Sequence, residues 1–257
     1  SKMDKLQENV KSIFRDLSKD FDTTVFPKKI DSVIHLAQSE HFREFPEKAR
    51  DVFYVNTLST LKLLEYARSA GAKTFIYASS GGVYGYGVKG FKEDYPIVAK
   101  RDLGFYLGTK LSSEIIADNY MPYMNVIILR FFFVYGPRQK SSMLIPRLIK
   151  NVKEGIPIIL HGKDGIRINP IYVLDAARAV VQSLNLNDSQ KINVGGAEIL
   201  SMREIGVIIG EVMNKKPEFE IVDAVEPRDL IGNTEKMTQL LMQHTVSFRE
   251  GIQRMVM

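Results

Sequence analysis

Short apolar runs separated by longer helical patterns constrain the fold of this chain more than any other feature of its sequence. Three such runs occupy residues 31–37, 74–78 and 125–131, and the segment 46–70 opens with a proline, which suits the first turn of a helix. Near-continuous apolar strands are typical of strands buried on both faces, as in parallel sheets covered by helices. The pattern therefore predicts an α/β fold built on a parallel sheet.

The length and composition of the chain allow a full core and exclude several classes of protein. With 257 residues, 45% of them hydrophobic, one large domain or one domain with a small lobe is expected. The chain has no cysteine, which rules out disulfides and thiol chemistry and favours a reducing compartment, so we expect the cytoplasm. The longest apolar run, 126–135, is too short to span a membrane and contains Arg130, so we expect no membrane association. The polar start of the chain, residues 1–5, lacks the apolar stretch of a signal peptide.

The net charge of +5 has three interpretations. A basic surface attracts an anionic cofactor or a diphosphate substrate, and it also attracts nucleic acid. The lysines and arginines are scattered, however, and form no dense cluster with interleaved aromatic residues. An ordinary basic surface is the simplest interpretation, and we expect no nucleic-acid partner.

A loop rich in glycine follows the apolar run 74–78. It begins with Ser79 and Ser80 and continues with Gly81 and Gly82. Open α/β sheets bind their ligands at the carboxyl ends of the strands. The position of Ser80 therefore predicts that its hydroxyl faces a ligand site.

Tyr106 and Lys110 lie four residues apart at the start of a helical pattern that runs to about residue 119. They share one helix face, and a lysine ammonium beside a phenol lowers the pKa of the tyrosine from about 10 toward the range of a general base. In a chain with eleven tyrosines the same spacing also arises by chance as a solvated pair. Ser80, 26 positions before Tyr106, could bind the same substrate oxygen.

The order of these motifs is specific when the run 129–138 (LRFFFVYGPR) is added to them. The combination resembles the extended short-chain dehydrogenase/reductase family, which includes the nucleotide-sugar epimerases and dehydratases. The resemblance implies a doubly wound, Rossmann-like parallel sheet in residues 1–138 and mainly a smaller α/β substrate lobe in residues 139–257. In the second half we expect five helices, at 144–153, 175–186, 202–213, 234–242 and 247–256. We also expect three short strands there, at 158–160, 166–172 and 191–194.

The resemblance also implies a catalytic triad of Ser80, Tyr106 and Lys110, with Tyr106 as the base. Lys110 would lower the pKa of the tyrosine and bind the nicotinamide ribose of the cofactor. The helices at 46–70 and 104–119 would pair with their copies in a homodimer.

The resemblance implies a cofactor site for NAD that draws on several segments of the chain. The residues expected to line it are Asp16, Leu17, Leu36, Ala37, Gln38, Asn56, Tyr106, Lys110 and Phe132. Asp16 would end a short strand at 10–17 beside the adenine, although it suits a helix cap equally well. Asn56 belongs to Asn-x-x-Ser-Thr, with Ser59 where the family has glycine, and a solvated or packing role is the alternative. His35 is interpreted as a buried structural residue. For Phe132, the alternative to a role at the cofactor is that of an aromatic residue packed in the core.

The substrate side departs from the family at several positions. Family members often have asparagine where this chain has Phe133. Arg167 and Arg228 lie close to the positions of the family's phosphate-binding arginines without matching them, and each could equally be a surface residue. With Ser80 these three are the expected substrate-binding residues. Either the arginines compensate by small shifts, or the substrate is not a standard nucleotide diphosphate sugar.

The residues after the catalytic serine separate the possible reactions. The family's dehydratases usually have an Asp-Glu pair there, whereas this chain has Gly81 and Gly82. We therefore predict an NAD(P)-dependent epimerase acting on a nucleotide sugar. The alternatives are a reductase of a keto-sugar or another carbonyl, and a non-catalytic binding protein that retains the fold.

The usual start of a dinucleotide-binding fold is missing from this sequence. A strand, a Gly-rich turn and a helix normally receive the pyrophosphate, but no glycine precedes Gly71. We expect an upstream βαβ segment in the natural protein, since loss of the first two strands would leave a gap of about 10 Å in the sheet. The alternative is a truncated chain that rearranges its sheet or dimerises across the gap. The residue that distinguishes NAD from NADP would lie in the same segment, so NADP is left open.

Overall fold

The computed structural model describes residues 10–87, 89–99, 103–222 and 229–257. The strands in this part of the chain are β1 (Ser32–His35), β2 (Thr74–Ser80), β3 (Asn125–Phe131), β4 (Val134–Tyr135), β5 (Ile158–His161), β6 (Arg167–Ile168), β7 (Ile171–Tyr172), β8 (Gln190–Val194), β9 (Leu200–Ser201) and β10 (Phe219–Val222). The helices are α1 (Ala49–Phe53), α2 (Ser59–Ser69), α3 (Gly104–Asp118), α4 (Leu144–Glu154), α5 (Val173–Ser183), α6 (Met202–Met213), α7 (Glu235–Leu240) and α8 (Phe248–Val256). A π-helical turn at Tyr54–Leu58 joins α1 to α2, and a 3₁₀ turn at Gly81–Tyr84 follows β2.

A four-stranded parallel sheet in the order β1-β2-β3-β8 forms the centre of the fold. Ile76 of β2 pairs with Ile34 of β1 on one side and with Ile127 of β3 on the other. The middle of β2 is inaccessible to solvent on both faces, with Phe75, Ile76 and Tyr77 all at 0% exposure. The parallel α/β sheet predicted from the apolar runs is therefore confirmed, because helices cover both faces of these strands.

The expected strand at 10–17 is wrong, whereas the expected upstream βαβ segment stays a prediction. Residues 10–16 are irregular, and Phe14 is 86% exposed. Asp16 instead closes a local turn by accepting from the backbone N–H of Ser18 at 3.0 Å. A strand needs a partner for its backbone groups, and in the described residues nothing pairs with this segment. Among the described residues the four central strands are contiguous, with β1 at one end of the order and directly paired with β2.

The helical prediction for 46–70 is confirmed, with one irregularity. The helix begins at Ala49 and ends at Ser69, and the π-helical turn Tyr54–Leu58 lies in its middle. Asn56 occupies this turn and is completely buried. Such turns are rare and often occur at functional sites, since they redirect side chains from one helix face to another.

A second core lies in the later part of the chain. It is formed by helices α4, α6 and α8 with strand β5, and its fully buried members include Leu160, Ile205 and Ile252. Strand β5 pairs in parallel with β10. The domain boundary at residue 138 remains a prediction. Strand β8 and helix α5 come after this residue in the chain, and both pack on the central sheet. None of the helices in the described part of the chain is both long and apolar enough to cross a membrane.

Candidate functional site

Ser80 lies at the carboxyl end of β2, where the strand breaks into the 3₁₀ turn. Its backbone is extended, and its Oγ accepts from the backbone N–H of Gly82 at 3.1 Å. This bond fixes the hydroxyl at the start of the turn. The side chain lines a cleft of about 490 Å³ that opens at this edge of the sheet.

Tyr106 reaches the same cleft from the first turn of α3. Its hydroxyl donates to Oε1 of Gln38 at 2.9 Å, and its ring packs against Phe42 with a centroid distance of 5.1 Å. Burial raises the pKa of Tyr106 to about 12, and a side-chain hydrogen bond with Ser80 acts in the opposite direction. The structure thus brings Ser80, Gln38 and Tyr106 together at one cleft.

Lys110 lies one helical turn further on and is 2% exposed. Its Nζ donates to the carbonyl of Ala78 at 2.8 Å and lies 5.1 Å from the ring centre of Tyr77. Burial lowers the pKa of Lys110 to about 7, while the charge of Glu114 raises it. In this arrangement burial has the largest effect on the pKa of Tyr106, and Nζ of Lys110 is bound to the carbonyl of Ala78 beneath the cleft, so the lowering of the tyrosine pKa by Lys110 stays a prediction.

Asn56 links the loop after β1 to the helix that carries Tyr106. Its Oδ1 accepts from the backbone N–H of Ser39 at 3.0 Å, and its Nδ2 donates to Oγ1 of Thr109 at 3.0 Å. Thr109 in turn donates to the carbonyl of Tyr106 at 2.6 Å. Asn56 is therefore a buried brace between the two walls of the cleft; it does not line the cleft itself, and its place among the cofactor residues stays a prediction.

A buried ion pair that the sequence analysis missed lies below the cleft. Arg130 of β3 donates to both carboxylate oxygens of Glu114, with its terminal nitrogen at 2.7 Å, and to the hydroxyl of Tyr84 at 2.6 Å. Ser79 donates to the same carboxylate. Burial lowers the pKa of Arg130, but the bonds and charge of Glu114 outweigh it, and the pKa is raised. The signals in the sequence were Arg130 within an apolar run and Glu114 four residues after Lys110, although neither indicates that the two side chains pair.

The other predicted cofactor residues divide into two groups. Phe132 lines the cleft and is 1% exposed. Leu36 is 52% exposed, and neither it nor Ala37 is among the cleft residues. Asp16 and Leu17 lie in the irregular N-terminal segment and do not line this cleft either.

The predicted substrate residues also differ in their surroundings. Phe133 lines the cleft with a backbone φ of 46°, a left-handed conformation that is rare for a bulky residue. Arg167 is engaged by Asp229, which accepts from its Nε at 2.8 Å and from a terminal nitrogen at 2.6 Å. Arg228 lies outside the described residues. Further cleft residues that sequence reasoning did not find include Phe42, Arg43, Tyr86, Leu107, Gln139, Met143 and Leu144.

Comparisons with known proteins match most of the chain. The model of the NAD dependent epimerase/dehydratase family matches residues 2–195. A UDP-glucuronate 4-epimerase of Thermodesulfobacterium geofontis is 30% identical over 234 residues, which is 88% of this chain and 72% of that protein. A dTDP-D-glucose 4,6-dehydratase of Mus musculus is 28% identical over 242 residues, or 89% of this chain and 67% of that protein. The crystal structure of the UDP-glucuronic acid 4-epimerase of Bacillus cereus with UDP-glucuronic acid and NAD superposes with a TM-score of 0.77 at 29% identity, covering 88% of this chain and 74% of that one.

Proposed function

Because this chain belongs to the NAD dependent epimerase/dehydratase family, we propose that it is an NAD(P)-dependent epimerase of a nucleotide sugar that works with Ser80, Tyr106 and Lys110. The observation that carries the proposal is the meeting of Ser80 and Tyr106 at one cleft, with Lys110 buried one helical turn beneath them. A hydroxyl, a phenol and a cation in this order suit the removal of a proton from a sugar hydroxyl.

Each member of the triad has a distinct task. Tyr106 takes the proton of the reacting hydroxyl, and Ser80 holds the oxygen that loses it. Lys110 supplies positive charge beneath the tyrosine and a donor for ribose hydroxyls. Since burial raises the pKa of Tyr106 to about 12, the phenol is the resting form, and the phenolate has to be stabilised by the groups around it.

The residues at the cleft fit the nicotinamide-ribose end of a dinucleotide. The hydroxyls of Tyr106 and Ser80 and the amide of Gln38 offer hydrogen bonds, and the ring of Phe132 offers an apolar wall. Among the described residues ahead of β1 there is no Gly-rich turn for a pyrophosphate. When bound, NAD supplies the acceptor and donor of hydride at the sugar carbon.

The packing around Gly81 favours epimerisation or reduction over dehydration. An ideal Cβ at Gly81 would lie 2.3 Å from Cζ of Phe132, closer than any real contact. The acid that the family's dehydratases usually have at this position therefore has no room here unless the buried ring of Phe132 moves.

The second candidate is a reductase of a keto-sugar or another carbonyl. The side chains of Phe133, Leu107 and Leu144 make much of the cleft apolar, and Arg167 is already paired with Asp229. Both observations favour a substrate with fewer polar groups than a standard nucleotide diphosphate sugar. The relatives named above are described as acting on UDP- and dTDP-linked sugars, which supports the epimerase as the first choice.

We also propose that the chain forms a homodimer through the helices on one side of the sheet. The face formed by α1 and α3 exposes Phe53 (45%) and Ile115 (58%), and Phe45 stacks on Phe105 beside it with a centroid distance of 4.8 Å. Apolar side chains clustered on a surface are typical of an interface. We further propose that residues 1–138 form the dinucleotide-binding domain and that residues 139–257 form mainly the substrate lobe.

A turnover experiment tests the function. The protein is incubated with NAD and UDP-glucuronic acid, and the configuration at C4 of the sugar is followed by proton NMR. We expect Tyr106→Phe to reduce turnover by at least about 100-fold, whereas Tyr123→Phe, at a tyrosine 67% exposed, leaves it unchanged. Unchanged turnover in Tyr106→Phe would eliminate the mechanism. Retention of NAD, measured by native mass spectrometry, distinguishes an enzyme with another substrate from a non-catalytic relative.

A further inference from the structure

The hydroxyl of Tyr106 has a partner that the triad does not include. It donates to Oε1 of Gln38 at 2.9 Å. We propose that Gln38 is a positioning residue that holds the tyrosine hydroxyl and, by rotation of its amide, stabilises the phenolate as well as the phenol. This inference rests on the proposed function for its catalytic meaning, whereas the contact itself does not depend on it.

The contact is built into the fold through the backbone on both sides. Ser39, the residue after Gln38, donates its N–H to Asn56, and Asn56 donates to Thr109, which donates to the carbonyl of Tyr106. Ser39 and Asn56 are buried. The chain of bonds therefore fixes the distance between the backbones that carry the amide and the phenol.

The side chain of Gln38 is free to turn even though its backbone is held. Gln38 is exposed, and in the described part of the chain the tyrosine hydroxyl is the only side-chain hydrogen-bond partner it has. An amide carries an acceptor oxygen on one side and two donors on the other. A half-turn of the amide therefore exchanges the acceptor for a donor at the same position.

This exchange matters when Tyr106 loses its proton. In the present orientation the phenol O–H points at a carbonyl oxygen. If the proton leaves, two acceptors face each other, and the amide has to present its Nε2 to restore a bond. A donor on an ionised oxygen is about twice as strong as a bond between neutral groups. The amide therefore favours the phenolate more than it favours the phenol.

Other ionisable groups also surround the cleft, and they come from several segments of the chain. Lys110 lies on the same helix, Arg43 comes from the loop after β1, and Tyr86 comes from the segment after the 3₁₀ turn. Within the described residues, Gln38 is the amide that bonds the hydroxyl of Tyr106. Its effect on the tyrosine can thus be separated from theirs by substitution at a single position.

The test measures the titration of Tyr106 itself. 3-Fluorotyrosine, whose ring fluorine lowers the pKa of the phenol, is placed at position 106, and the ¹⁹F shift is followed against pH without cofactor or substrate. We expect Gln38→Leu to raise the midpoint by about half a pH unit, because the donor is lost. Gln38→Glu has the same shape but cannot donate, and its charge opposes the phenolate, so we expect a rise of about one unit.

The control is Gln182, an exposed glutamine on α5 whose Oε1 accepts from Asn185 at 3.2 Å and which does not line the cleft. Gln182→Leu and Gln182→Glu should leave the midpoint unchanged. Equal midpoints in wild type, Gln38→Leu and Gln38→Glu would overturn the proposal, and so would a midpoint lowered by Gln38→Leu. Because the titration needs no turnover, an inactive protein would refute the proposed function and still give a readable result here.

Discussion

The ion pair between Glu114 and Arg130 allows a quantitative test of what supports the cleft. The two side chains are 1% and 3% exposed, and the nearest nitrogen and oxygen atoms are 2.7 Å apart. Removal of one partner from such a pair leaves an unpaired buried charge, which costs about 3–5 kcal/mol of the free energy of unfolding. We therefore expect Glu114→Leu and Arg130→Met each to lower the stability by that amount.

The double variant should lose far less than the sum of the two single variants. It contains neither charge, and the hydroxyl of Tyr84 still donates to Asn193 at 2.8 Å. The hydroxyl of Ser79 loses its partner, which costs about 1–3 kcal/mol. Since the single losses add up to about 6–10 kcal/mol, the coupling energy should be at least about 3 kcal/mol.

Urea denaturation followed by circular dichroism gives the four free energies. The control cycle uses Lys191 and Asp118, a pair at 2.6 Å whose side chains are 29% and 34% exposed, for which we expect a coupling of about 0–1 kcal/mol. A double variant that loses the sum of the single effects to within about 0.5 kcal/mol would show that Glu114 and Arg130 act independently.

Three further predictions concern burial, space and assembly. Burial lowers the pKa of Lys110 to about 7, so between about pH 7 and pH 9 the unfolded chain binds more protons than the folded one. The free energy of unfolding should therefore rise with pH in this range, by up to about 1.4 kcal/mol per pH unit. Lys110→Met should abolish this part of the rise in urea denaturation, and identical slopes would refute it. Gly81→Asp should lower the melting temperature, because its Cβ would lie 2.3 Å from the ring of Phe132, and an unchanged melting temperature would contradict this packing. Ile115→Glu should convert the dimer to a monomer in native mass spectrometry, whereas Ile199→Glu, at a residue 51% exposed elsewhere, should not; a dimer in both variants would exclude the proposed face.

Local sequence signals were sufficient for the central strands and for the position of the cleft. The apolar runs predicted β2 and β3, because both faces of these strands are buried and nearly every residue in them is therefore apolar. Ser80 was placed correctly because the end of an apolar run marks the carboxyl edge of the sheet. The helix that carries Tyr106 was predicted from its local pattern, whereas the role of Tyr106 comes from the family resemblance and stays a prediction.

Features that depend on contacts between distant segments were not predictable in the same way. The segment 10–17 has the residues of a strand, but whether a strand forms depends on a pairing partner that local composition does not specify. The same spacing that brings Lys110 to the face of Tyr106 also allows its Nζ to bind the carbonyl of Ala78, and only the packing of α3 on β2 decides between them. The pairing of Glu114 with Arg130 joins a helix to a strand, and no short motif encodes it.

The π-helical turn at Tyr54–Leu58 has a consequence for the phase of the helix in which it lies. Each residue of an α-helix advances the side chain by about 100°. The wider turn changes that advance locally, so Val52 before it and Leu64 after it both reach the core while Asn56 reaches Ser39 and Thr109. Deletion of one residue within the turn would yield a regular helix in which Val52 and Leu64 still share a face, and it would remove the wide turn in which Asn56 lies. An irregularity in the hydrogen bonding of one helix thus allows it to bury an apolar face and to brace the cleft with the same few turns.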